Sequence, residues 1–119
     1  MKSLTKREEE IMNYFWEKGS MKVSELQMLY DEPRPHVNTL GTLVKILEEK
    51  GFVGHRAITA RSYEYFAKLT KMEYSKGTIN NVVDKFFGKN YINLINTLVK
   101  DEKISVAELK ELIKIVENE

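Results

Sequence analysis

Asn38, Thr39, Gly41, Thr42 and Lys45 fall opposite an apolar repeat made by Val37, Leu40, Val44 and Leu47. The apolar residues recur every third or fourth position, as on one stripe of a 3.6-residue helix. The opposite face is short, mostly uncharged and rich in hydrogen-bonding groups. Asparagine pairs with adenine edges, and threonine meets a thymine methyl or a phosphate. Lys45 suits a phosphate better than a base. Such a face either reads a DNA groove or is an ordinary solvated helix surface. Arg56 and Arg61 bracket the turn of a hairpin expected next, where cations reach phosphate or the minor groove.

The elements that must position these residues are marked by their ends. Thr5-x-x-Glu8, Thr70-x-x-Glu73 and Ser105-x-x-Glu108 each fit a capping box at a helix start. The first helix is predicted over residues 6–18, with Ile11, Met12, Phe15 and Trp16 inward and Gly19 as its stop. The second covers 23–30. Pro33 and Pro35 forbid continuous helix, and the third helix follows over 36–50, with Gly51 suited to a left-handed C-terminal cap. Strands are predicted over 52–57 and 62–66, joined through Ile58-Thr59-Ala60. This turn has no glycine and leaves the loop type open. Ser20-Met21-Lys22 is a candidate third strand. Three more helices are expected over 71–87, 91–100 and 106–117.

This order describes a mainly α chain. A winged helix-turn-helix (three helices plus a small antiparallel hairpin) over 1–69 is followed by a three-helix region over 70–119. The last three helices are short and their apolar faces wide. Val82, Phe86, Tyr91, Ile92, Leu98, Leu109, Leu112 and Val116 exceed what one thin bundle buries. A second copy of the same helices is the simplest cover, so a homodimer is expected.

Charge separates along the chain although the net is only +1. Residues 34–68 carry six basic and three acidic side chains, the surrounding segments none in excess or an acidic surplus. The positive excess thus sits on the third helix and hairpin. With no cysteine there is no disulfide, thiolate metal site or redox dyad. His36 and His55 lack a carboxylate at ligand spacing, so no zinc site is expected. Tyr14-x-x-x-Lys18 superficially matches a reductase dyad but has no glycine-rich nucleotide loop beside it. No nucleophile–base pair or paired carboxylates appear, so neither catalysis nor a cofactor is expected. No run approaches the roughly 20 apolar residues of a membrane span, and no apolar signal region follows Met1. A soluble, cytoplasmic protein is the expectation.

The ordered residues Leu4-Thr5-x-x-Glu8-x-x-Ile11-Met12-x-x-x-Trp16, then Asn38-Thr39-Leu40-x-Thr42-Leu43-Val44-x-x-Leu47-Glu48-Glu49-Lys50-Gly51-Phe52-Val53-x-His55, then Tyr63-x-Tyr65, resemble the penicillinase repressor family. That family comprises β-lactamase and methicillin-resistance repressors with copper-responsive relatives. The resemblance runs from Leu4 through the last helix. It implies a homodimer of winged-helix domains, joined by C-terminal helices, that represses promoters bearing palindromic operators. It also implies base reading at Asn38, Thr39, Gly41 and Thr42, with double-stranded DNA as partner. Thr39 and Thr42 match the family pattern. Gly41 stands where members can carry a long basic residue, so the resemblance does not supply the operator.

Control departs further. Antibiotic-responsive members are cleaved at an Asn-Phe bond on a signal from a membrane sensor; the matching place here reads Asn96-Thr97-Leu98. The C-terminal cysteine cluster of copper-responsive relatives is absent. A different protease or upstream sensor, a ligand between the domains, and constitutive repression remain open. Two other readings of the chain stand beside DNA binding: a winged-helix module that binds protein without an operator, and a small-molecule sensor.

Overall fold

The computed structural model describes residues 3–117, with side chains through residue 114. The elements run α1 (Lys6–Lys18), α2 (Val23–Met28), α3 (Val37–Glu49), β1 (Val53–Thr59), β2 (Ser62–Ala67), α4 (Lys71–Phe86), α5 (Tyr91–Lys100) and α6 (Val106–Glu117). The chain divides into two compact units, Met1–Lys76 and Gly77–Glu119, the division falling inside α4.

The first unit is a winged helix-turn-helix. Its core is built by Ile11, Met12 and Phe15 from α1, Leu26 from α2, and Leu40, Val44 and Leu47 from α3, closed by Met21, Phe52, Val53 and Tyr65. α1 opens with the expected capping box. The Glu8 amide donates to Thr5 Oγ1 at 3.2 Å and the Thr5 amide to Glu8 Oε1 at 2.7 Å. Trp16 packs at the edge of this core, and its indole N–H donates to the Leu69 carbonyl at 3.0 Å. α2 is shorter than the sequence predicts. Leu29 and Tyr30 leave the helix through amide bonds to Leu26 and Gln27, the i to i−3 tightening common at helix ends.

α3 starts just past Pro35. Its N-cap is His36, whose Nδ1 accepts from the Asn38 amide at 3.0 Å. It ends in a Schellman motif. Gly51, at φ +86°, donates to Glu48 O at 3.0 Å and Phe52 donates to Leu47 O at 2.9 Å. That bend turns the chain from α3 into β1. A buried ion pair fixes the same corner. Lys50 Nζ lies 2.8 and 3.0 Å from the two carboxylate oxygens of Glu8, which is 2% exposed. Burial disfavours the Glu8 carboxylate, but hydrogen bonds from Lys50 and Thr5 together outweigh it and hold this carboxyl below its usual range.

β1 and β2 pair antiparallel, from Val53 opposite Ala67 to Thr59 opposite Ser62. The turn is Ala60-Arg61, two residues later than the sequence suggests. A register shift between Ala57 and Thr59 takes up Ile58 as an extra residue. Tight two-residue hairpins usually need positive φ, supplied by glycine or asparagine. Neither turn residue adopts it, and the bulge supplies the twist instead. Met21 exchanges both backbone hydrogen bonds with Tyr65, at 3.0 and 2.9 Å, as an isolated third-strand bridge.

In the second unit, α5 is capped by Asn90, whose side chain accepts from the Ile92 amide at 2.9 Å. α6 is capped by the Ser105–Glu108 box. Those bonds from Ser105 hold the exposed Glu108 carboxyl below its usual range. Val83 is the one buried side chain among this unit's described residues. Phe86 is 75% exposed, Ile92 66%, Leu112 50%, Tyr91 47% and Val82 38%, while Leu98 and Leu109 are half-buried. The side chain of Val116, expected on the same stripe, lies outside the described residues. Among the described residues no helix is long and apolar enough to cross a membrane.

Candidate nucleic-acid interface

The outward face of α3 carries the residues that periodicity assigns to it. Asn38, Thr39, Thr42 and Lys45 are exposed, and Gly41 is half-buried. Asn38, Thr42 and Lys45 follow one another at four- and three-residue steps and so share one row. Thr42 Oγ1 donates to the Asn38 carbonyl at 3.0 Å. With its proton engaged, Thr42 presents a methyl group and an accepting oxygen outward. A concavity of about 390 Å³ opens beside this row, with Val37 and Val23 as apolar walls and Asn38, Gly41, Thr42 and Lys45 along it. Tyr65 closes its inner end, and burial pushes that phenol above its usual range, Glu48 adding to the effect. Gly41 has an ordinary helical φ, and glycine inside a helix costs about 1 kcal/mol relative to alanine.

The basic side chains of residues 34–68 are not equivalent. Arg34 pairs with Glu32, Lys50 with Glu8, and Arg56 with Glu64. Lys45, Arg61 and Lys68 make no ion pair among the described residues. Arg61 sits in the hairpin turn itself. Arg56 lies opposite Glu64 in the strand register, with Nη2 and Nε 2.7 and 2.9 Å from Glu64 Oε1. Its guanidinium also lies 5.4 Å from the Phe66 ring centroid and within 3.3 Å of Ser20 Oγ. Arg56 therefore belongs to the body of the hairpin, its charge already partnered.

A link between hairpin and α3 escapes the sequence reading. His55 Nδ1 on β1 meets the Glu48 carboxylate on α3, and the His55 ring stands edge-on to Tyr63, centroids 5.2 Å apart. Tyr63 itself is 47% exposed, whereas Tyr65, two residues on along the same strand, packs inward. Residues seven apart on different element types carry no periodic signal, which is why the pair is invisible before the fold is known. His36 and His55 thus have separate partners. Among the described residues no group of three or more His, Cys, Asp or Glu could hold a metal ion.

The family model described as penicillinase repressor matches residues 4–118, through both units. The chain belongs to the penicillinase repressor family. A comparison with individual curated proteins found no match. Penicillinase repressors are transcriptional regulators, and in this one the exposed face of α3 carries Lys45 and the hairpin turn carries Arg61, neither in an ion pair among the described residues. In this repressor the segment Asn96-Thr97-Leu98 lies inside α5, with Asn96 and Thr97 exposed and Leu98 half-buried.

Proposed function

We propose that the protein is a cytoplasmic homodimeric repressor that binds a palindromic operator. Residues 1–69 bind DNA: α3 enters the major groove and the hairpin turn meets the backbone. Residues 70–119 join the two copies. The observation that carries this reading is the outward face of α3. It joins Asn38, Thr39 and Thr42, uncharged donors and acceptors, to a lysine without an ion pair, and the hairpin turn that follows carries Arg61, also without one among the described residues. Uncharged hydrogen-bonding groups distinguish bases, while cations supply sequence-independent attraction. The test is a gel-shift titration on DNA upstream of the chain's own gene. Thr39→Ala and Thr42→Ala should each weaken binding by about 1–3 kcal/mol, relax specificity locally and leave the fold intact. Wild-type binding by both variants would remove α3 from the base-reading role.

The hairpin should act on all sequences alike. Arg61→Ala is expected to lower the slope of log K against log salt by roughly 0.9, as for one lost phosphate contact. Arg56→Ala should lower it less, because Glu64 already neutralises that guanidinium. Titrations at several salt concentrations measure both slopes, and an unchanged slope in Arg61→Ala would take the hairpin off the backbone.

A further inference from the structure

Gly41 is a helix-interior residue whose lack of a side chain nothing in the protein explains. A Cβ built there meets no heavy atom within 4 Å apart from its two chain neighbours and the backbone of its own helix. Its φ is not one that excludes side chains. Gly54 shows what an internal reason looks like: a Cβ there would stand 2.8 Å from the Phe66 ring. At Gly41 alanine would fit and would favour the helix. Glycine there leaves the α3 backbone open on the side of the concavity, where a partner can come closer than a methyl group allows.

The concavity beside Gly41 indicates what that is. A phosphate would call for cations and donors, yet two walls are the valines Val23 and Val37, and Lys45 is the one cation. Thr42 is exposed and its hydroxyl proton is held by the Asn38 carbonyl, so this side chain offers a methyl group and an accepting oxygen rather than a donor. Apolar walls beside an asparagine amide match the major-groove edge of an A·T pair, where the thymine 5-methyl lies next to hydrogen-bonding groups. Resting on the DNA-binding reading above, we propose that Gly41 opens a notch that receives the 5-methyl group of a thymine, with Asn38 and Thr42 reading the adjoining edges. A side chain at position 41 fills the notch. This residue thereby sets specificity by its absence of atoms.

The test starts from a DNA site selected out of a random pool by the full-length protein. Gly41→Ala should melt a few degrees higher than wild type and bind the selected site roughly tenfold more weakly, a base-contact-sized loss. Each thymine of the site is then replaced by uracil, which removes only the methyl group. One position per half-site should weaken the wild type several-fold and leave Gly41→Ala unaffected, the mark of a shared contact. Equal affinity of the two proteins for the selected site overturns the proposal. So does weakening by Gly41→Ala with no thymine whose methyl matters to the wild type alone, which would mean close approach to the sugar-phosphate backbone. If the wild type selects no DNA at all, the DNA-binding reading fails and the notch with it, an outcome distinct from both.

Discussion

Lys50→Met is expected to destabilise the first unit by about 3 kcal/mol at neutral pH, the scale for breaking a buried ion pair from one side. Glu8 is 2% exposed and Lys50 supplies two of its hydrogen bonds. Methionine keeps the length of the side chain but leaves the carboxylate buried with only the Thr5 amide and hydroxyl bonds. The pH dependence identifies the cause. In the wild type the Glu8 carboxyl lies below its ordinary 4.5. Its contribution is present above pH 4.5 and is lost as pH falls through the lower folded value. In Lys50→Met burial dominates and raises that carboxyl, so protonation relieves the variant. The gap between the two proteins should therefore narrow as pH falls, beginning above 4.5, where the variant's raised carboxyl takes up its proton, and continuing below it, where the wild type loses its contribution. Adding Glu8→Gln should recover part of the loss by removing the stranded charge. Urea denaturation followed by Trp16 fluorescence at pH 7 and pH 4 measures all of this, because Trp16 is the only tryptophan and packs in this unit. A pH-independent gap would assign the loss to packing of the lysine stem instead.

Much of this corner was hidden in the sequence for a physical reason. Thr5 and Glu8 are close enough to announce their capping box, and Gly51 announces the end of α3, because local geometry ties residue type to position. Glu8 and Lys50 stand 42 positions apart and meet only once α1 and α3 have packed. The hairpin shows the opposite difficulty, a local feature read slightly wrong. Taking Ile58-Thr59-Ala60 as the turn would set Arg56 away from Glu64. The bulge that takes up Ile58 moves the turn to Ala60-Arg61 and brings the two into register. His36 was missed as a cap because imidazole is not among the usual N-cap side chains, although a neutral ring nitrogen accepts the same bond. The exposed row of α3, by contrast, follows from periodicity alone, since Leu40, Val44 and Leu47 can face the core only if Asn38 and Thr42 face away.

Placing glutamate at both Phe86 and Ile92 is expected to dissociate the proposed dimer and lower operator affinity by about 10²–10⁴-fold, the advantage that joining two half-site contacts provides. These side chains are 75% and 66% exposed in the single chain, and Val83 alone is buried among the described residues of their unit. Apolar surface of that extent on three short helices favours association with another copy. In a two-fold interface the same patch meets itself, so each substitution enters twice and sets like charges opposite apolar surface on both sides. Because neither residue supports the core of its own chain, the double variant should keep its helical content while losing its partner. Sedimentation velocity at micromolar concentration should show dimer for the wild type and monomer for the variant. The variant should still bind a single half-site weakly, through an unaltered α3. A variant that remains dimeric would move the interface to other faces of α4, α5 and α6. A wild type already monomeric at that concentration would refute the proposed dimer.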